Sequence, residues 1–67
     1  MSLELTILEA LCRKLVEIGK EVEEYAEKRD FEMARDRIVK SWMLLSRMDR
    51  VLAEWHNRLY EEKIDED

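Results

Sequence analysis

The amino-acid sequence predicts an all-α protein, an antiparallel hairpin of two helices at about 3–28 and 31–62 that dimerises into a four-helix bundle. Three observations lead to this prediction. The 67 residues include no Pro and one Gly, and 43% of them are charged, which is typical of long helices. Apolar residues recur at helical spacing in both halves of the chain. The phase of that pattern changes by half a turn between the two halves.

The first helix is predicted from an apolar row with alternating spacings of three and four, which begins at Leu8 and ends at Tyr25. A second row recurs every seven residues beside it and comprises Leu5, Cys12, Gly19 and Ala26. Because the later members of this row are small, we expect another helix to approach closely along that edge. Ser2 is a candidate N-cap, and Thr6 with Glu9 forms a competing capping box.

The second helix is predicted from apolar residues that are spaced by seven without exception. They are Phe31, Ile38, Leu45, Leu52 and Leu59. The intermediate positions are filled by Ala34, Ser41, Met48 and Trp55. Trp42, Leu44 and Val51 widen this stripe on both sides, and a stripe of this width suits a helix inside a bundle. We expect residues 63–67 to form a frayed tail.

The reversal between the helices is predicted from the change of phase. Val22 leads the last heptad of the first half, and Phe31 leads the first heptad of the second half. The nine steps of about 100° between them place the two residues on opposite sides of a continuous helix. A turn near Lys28–Asp30 instead brings both apolar faces together. Its two basic residues favour a helix C-terminus, and Asp30 suits the N-cap of the next helix. The alternative is one continuous helix in an antiparallel assembly, because the turn lacks the usual C-terminal Gly.

Homodimerisation is predicted from the width of the apolar stripes. A lone hairpin buries only the strips that face each other, which would leave a large apolar patch in water. Two hairpins packed together would cover that patch, so we expect residues 1–67 to form one domain that pairs with a second copy. The predicted dimer core comprises Leu8, Leu11, Leu15, Ile18, Val22, Phe31, Ile38, Trp42, Leu45, Met48, Leu52, Trp55 and Leu59.

The charges are unevenly distributed along the chain, whose formal net charge is −5. Residues 28–50 carry seven bases and four acids, giving +3, whereas 1–27 and 51–67 each total −4. One interpretation is a solvated face with ion pairs such as Asp36–Lys40. The others are contacts with nucleic-acid phosphates or with an acidic protein partner.

Two parts of the second helix form a possible partner surface. One is an outward-facing group of bases around an exposed Met43, and the other is the end of the helix, which should project beyond the first helix from about residue 55. The overhang either completes the dimer core or provides a platform for a partner. The residues of this surface are Lys40, Met43, Arg47, Arg50, His56 and Tyr60.

The sequence lacks the residue patterns of common active sites. Cys12 is the single cysteine, which excludes an intramolecular disulfide and a multi-cysteine zinc site. The residue three before His56 is Ala53, so the Glu-x-x-His motif of di-iron bundles is missing. A haem held by His56 and a Met is a weaker alternative to packing by the Met side chains. We therefore expect no enzyme activity, no metal and no cofactor.

Two segments, Leu8–Glu21 and Met48–Trp55, together resemble the two helices of the hairpin phosphatases that act on sporulation regulators. The resemblance covers about a third of the chain. That family carries a Ser-Gln-x-Leu-Asp signature on its second helix. With Asp49 placed on the Asp of the signature, Leu45 and Ser46 stand where Ser and Gln are required. The phosphatase machinery is not matched, and no activity is carried over.

We expect a small, acidic, cytoplasmic homodimer that acts without catalysis as a protein-binding regulator or adaptor. A lone thiol fits a reducing compartment, and no apolar run approaches the ~20 residues that span a bilayer, so no membrane partner is expected. The alternative is an RNA- or DNA-binding bundle that uses the basic segment 28–50, similar to the RNA-regulating plasmid proteins of the Rop type. A further alternative is a structural or designed bundle without a partner.

Overall fold

A computed structural model describes the backbone of residues 2–65 and the side chains of residues 2–61. Helix α1 (Leu3–Glu27) and helix α2 (Phe31–Asp65) pack against each other as an antiparallel hairpin. The Cα trace measures 58 × 19 × 10 Å. This arrangement confirms the hairpin that the phase change predicts, and the alternative of one continuous helix is wrong.

Helix α1 begins at the first of its two candidate caps. The backbone N–H of Leu5 donates to Ser2 Oγ at 3.0 Å. The hydroxyl of Thr6, the competing candidate, instead donates to the Ser2 carbonyl at 3.2 Å. Ser2 Oγ also donates to a carboxylate oxygen of Glu4 at 3.2 Å. Ser2 therefore satisfies an orphan donor of the first turn, and Glu4 places a favourable negative charge there.

The reversal is a Schellman turn made without glycine. Arg29 adopts a left-handed conformation with φ 61°. Its N–H donates to the Ala26 carbonyl at 3.0 Å, and the N–H of Asp30 donates to the Tyr25 carbonyl at 2.9 Å. The carboxylate of Asp30 then accepts from the N–H of Met33 at 3.2 Å, which confirms the predicted N-cap of α2. Two paired carbonyls and a cap thus offset the left-handed strain of about 1 kcal/mol at Arg29.

The end of α2 lies beyond its predicted position. The helix continues to Asp65, three residues past the predicted end near Glu62. The frayed tail at 63–67 stays a prediction. Residues 66–67 lie outside the described part of the chain. The additional length makes α2 a helix of 35 residues, against 25 in α1.

The seam between the helices is built from the alternating rows, and its largest apolar members are only partly covered. The buried residues are Ile18, Ala34, Leu44 and the carboxylate-bearing Glu4. Half-buried seam residues are Leu8, Leu11, Leu15, Val22, Tyr25, Met33, Ser41, Met48, Val51 and Trp55. No described side chain has less than 2% of its surface exposed. A single hairpin therefore has a thin core.

The residues spaced by seven along α2 lie outside this seam. Phe31, Ile38, Leu45, Leu52 and Leu59, here called the ladder, keep between 40% and 59% of their surface exposed. Trp42, beside the ladder, is 64% exposed. The predicted dimer core thus divides into residues of the intramolecular seam and residues that the hairpin leaves in solvent.

Candidate functional site

The hairpin has two broad faces, and one of them is apolar. The three middle members of the ladder each directly follow a residue that is buried or half-buried between the helices, as Leu45 follows Leu44. In α1 the row of Leu5, Cys12, Gly19 and Ala26 has the same relation, since Gly19 follows the buried Ile18. In two antiparallel helices, the residue that follows a seam residue lies on the same side of the hairpin in both helices. The row on α1 and the ladder on α2 therefore share one side. We call this side the ladder face.

The opposite face carries a groove of about 570 Å³ between α1 and α2. Its base is formed by the buried side chains of Ile18 and Leu44. The exposed Met43 is the third apolar residue of the lining, and the remaining lining residues are polar or basic. The groove is lined by Lys14, Ile18, Lys40, Met43, Leu44, Ser46, Arg47 and Arg50. We call it the basic groove, because four of these eight residues are Lys or Arg.

Helical spacing on α2 builds one wall of the basic groove. Lys40, Met43, Arg47 and Arg50 follow each other at intervals of three and four, so they form a single stripe along α2. The structure places these four predicted partner residues together. A smaller depression of about 210 Å³, lined in part by Ile7, shares Arg47 and Arg50 and extends the groove toward the open end of the hairpin.

The other wall comes from α1 and is not evident from sequence periodicity. Lys14 lies between the seam residues Leu11 and Leu15, and Ile18 is itself a seam residue. Their contribution follows from the register of the two helices, in which residues level with each other have numbers that add to about 58. Lys14 is then level with Leu44. Applying this register to the basic stripe of α2 would have identified Lys14 as part of the groove.

Three of the four bases of the groove are available to a ligand. Lys40 Nζ lies 4.0 Å from Asp36 Oδ2, at the outer limit of an ion pair. Among the side chains that the structure describes, Lys14, Arg47 and Arg50 form no ion pair. Such bases attract anions, and the apolar base below them can hold a hydrophobic group.

Two acids of α1 pair with bases that lie outside the groove. Arg37 Nε lies 3.3 Å from Glu21 Oε2 across the seam, without the alignment of a hydrogen bond. At the open end, Arg58 of α2 forms an ion pair with the buried Glu4 of α1. Sequence reasoning missed the burial of Glu4, since a charged residue at a seam position is ordinarily read as solvated. These two pairs connect α1 and α2, one toward the turn from the groove and the other at the open end of the hairpin.

The other predicted partner residues do not join the groove. His56 and Tyr60 are exposed on the part of α2 that extends past α1, and Tyr60 keeps 61% of its surface in solvent. Cys12 is exposed on the ladder face of the hairpin. The groove and the ladder face are therefore separate surfaces of one hairpin.

The described residues provide neither a metal site nor a membrane-spanning helix. No group of three or more His, Cys, Asp and Glu side chains comes together there in a way that could hold a metal ion. Neither of the two helices contains an apolar stretch of the length that crossing a membrane requires.

Comparison with protein-family models, with curated proteins and with solved structures finds no match to this chain. Fold and site together define a class of protein, an α-helical hairpin with an apolar ladder on one face and a basic groove on the other.

Proposed function

We propose that the protein is a non-enzymatic adaptor or regulator that dimerises through the ladder face and binds an acidic segment of another protein in the basic groove. The observation that carries this proposal is the separation of the two surfaces. One face offers large apolar side chains with few charges, and the other offers unpaired bases around a small apolar base.

The size of the ladder face supports a second copy of the chain as its occupant. The Cα trace is 19 Å wide. The ladder runs about 42 Å from Phe31 to Leu59, at 1.5 Å per residue. The face therefore covers roughly 800 Å², which is what a standard interface buries on each partner. Burying the exposed halves of the five ladder side chains would contribute roughly 1 kcal/mol each.

The chemistry of the basic groove supports an acidic protein segment as its ligand. Met43 is 66% exposed, and its flexible, polarisable side chain adapts to apolar groups of different shape. Lys14 on one wall and Arg47 and Arg50 on the other surround it with positive charge. A short helix or extended segment with one or two apolar anchors between Asp or Glu residues is complementary to this arrangement.

Nucleic acid is the second candidate, because the same stripe of bases could contact phosphates. Two features favour protein over nucleic acid. The net charge of −5 opposes long-range attraction to any anion, and it does so more strongly for a long polyanion than for a segment with a few acids. The apolar base of the groove, formed in part by Ile18 and Leu44, would gain nothing from a phosphate backbone.

Dimerisation is tested by sedimentation equilibrium at micromolar concentration. We expect about twice the chain mass of 8.2 kDa. Leu45→Lys should give a monomer, because it places a charge in the middle of the ladder face. Val39→Lys is the matched control, since Val39 is comparably exposed on α2 but lies on its outer side, and it should remain dimeric. A folded wild-type monomer at this concentration would overturn the dimer.

The groove is tested by selecting peptides from a displayed random library with the wild-type protein as bait. Recovered peptides should share acidic residues around an apolar anchor. They should lose binding to a variant in which Lys40, Arg47 and Arg50 are changed to Gln. The matched control changes Arg13, Lys20 and Arg35 to Gln, which removes the same charge from exposed positions outside the groove.

Random RNA and duplex DNA at ~150 mM salt separate the remaining functions. We expect no binding by the wild-type protein. Micromolar binding that the groove variant loses and the control variant keeps would make nucleic acid the ligand. If neither peptides nor nucleic acids bind, the groove proposal fails and a structural bundle without a partner takes its place.

A further inference from the structure

We propose that the two hairpins of the dimer are antiparallel, with a two-fold axis that passes beside Leu45 and Cys12 and with the two turns at opposite ends of the bundle. This inference rests on the proposed dimer and adds its topology. It follows from the symmetry of the ladder about Leu45, from three members of the α1 row that are symmetric about Cys12, and from the overhang of α2.

The ladder is symmetric about Leu45. Two members precede Leu45 at intervals of seven residues, and two follow it at the same intervals. When an identical α2 lies antiparallel across it with Leu45 on the axis, Phe31 meets Leu59 of the second copy and Ile38 meets Leu52. Every exposed ladder residue then has an apolar counterpart, with none left at either end.

Three members of the row on α1, Leu5, Cys12 and Gly19, are symmetric about Cys12, and the fourth, Ala26, has no counterpart in the row. An axis beside Cys12 brings Leu5 opposite Gly19 of the second copy, so a large side chain meets the residue with none. A Cβ built at Gly19 meets nothing within 4 Å, so the hairpin has space there for the leucine side chain of the second copy. The exposed Cys12 thiols of the two copies would face each other at the axis.

The two centres lie at the same height in the hairpin. Level residues have numbers that add to about 58, as Glu21 and Arg37 do across the seam. Leu45 is therefore level with Arg13, the neighbour of Cys12. One axis perpendicular to the helices can therefore serve the ladder and these three residues of α1.

The alternative dimer has both turns at one end, so that α2 lies on α1 of the second copy. Helix α1 begins at Leu3, which is level with about Trp55. Leu59, of which 51% is exposed, would then extend past the second copy and remain in water. In the antiparallel dimer the same residue is covered by Phe31 of the second copy, as described above.

The natural thiol provides a direct test. Under oxidation by copper–phenanthroline, which removes two electrons and two protons from a pair of thiols, wild-type dimers should form a Cys12–Cys12 disulfide in most molecules. The control is Cys12→Ser with Ala26→Cys, which moves the thiol along the same row to a site far from the axis. It should remain uncrosslinked at matched protein concentration. Equal crosslinking of the two proteins would overturn the proposed axis.

A distance measurement keeps the test independent of thiol chemistry. In a Cys12→Ser background, a spin label on Glu27→Cys near the turn should lie on the order of 45 Å from its copy in the antiparallel dimer. Turns at one end would place the two labels within about 20 Å, which would overturn the topology while leaving the dimer intact. A sedimenting monomer, in contrast, would remove the dimer itself.

Discussion

Arg37 Nε lies 3.3 Å from Glu21 Oε2, and this ion pair joins the two helices near their turn. The two residues lie level with each other, and their numbers add to 58, the register on which the shape of the groove depends. The side chain of Glu21 is 41% exposed, so screening by water limits the energy of the pair.

A double-mutant cycle with Glu21→Gln and Arg37→Gln should therefore give a coupling free energy of about 0.3–1 kcal/mol. We expect urea unfolding to show this coupling at low ionic strength and a smaller one at ~1 M salt, where the Debye length is about 3 Å. A coupling that does not change with salt would contradict the electrostatic origin of the contact.

Arg29→Gly should stabilise the protein. Arg29 has φ 61°, a conformation that glycine adopts without the clash of a Cβ. We expect the free energy of unfolding to rise by up to about 0.5 kcal/mol, after the larger unfolded-state entropy of glycine is deducted. Lys28→Gly is the control, because Lys28 has a right-handed φ of −80° and gains nothing from glycine. That variant should be destabilised, and the opposite order of the two would refute the strain at Arg29.

Asp30→Ala should destabilise the start of α2. The Asp30 carboxylate accepts the N–H of Met33 at 3.2 Å, which no alanine side chain can replace. The expected loss is about 1 kcal/mol in the free energy of unfolding. Asp30→Asn, which keeps an acceptor at the same position, should retain most of the stability when the three proteins are compared by thermal unfolding.

Substitutions at Gly19 test whether this edge of α1 is open to solvent or lies in the dimer interface. Gly19→Ala should raise stability by up to about 1 kcal/mol, because alanine favours the helix and a Cβ meets nothing within 4 Å. Gly19→Leu should weaken dimerisation, since its side chain would project from the ladder face. The control Lys20→Leu adds the same side chain at an exposed position on the outer side of α1. Equal sedimenting masses for both leucine variants would contradict a close contact at Gly19.

The hairpin could be predicted because its signal is the phase of a long periodic pattern. The change of phase between Val22 and Phe31 predicts the reversal, and the Asp30 cap predicts where α2 begins. The sequence of the turn is unfavourable to this prediction, since Arg29 stands where glycine is usual. Its strain is balanced by hydrogen bonds to Tyr25 and Ala26 that local residue preferences do not reveal.

The assignment of the seam was less predictable. The row led by Phe31 and the row led by Ala34 both recur every seven residues along α2, and periodicity does not say which faces α1. In the structure the small Ala34 is buried, with 6% of its surface exposed, whereas Phe31 is 59% exposed. Small side chains let the helices approach closely beside a tight turn, and the large ones are left outside.

The candidate site could be predicted only on one helix. Lys40, Arg47 and Arg50 form a stripe that is visible in the sequence, and the structure places them together around Met43. Lys14 joins them from a distant part of the chain. No local pattern marks such a residue, because its position in the groove depends on the register of the two helices.

The position of the basic groove on the face opposite the ladder has a consequence for stoichiometry. In a dimer formed through the ladder face, the two copies of the groove would point away from each other on the outside of the bundle. Each dimer would hold two ligand segments at once, and neither would compete with the other for Met43. A partner that displays two such segments on a flexible tether would gain avidity only if the tether could pass around the bundle. A partner with a shorter tether would instead link dimers into chains.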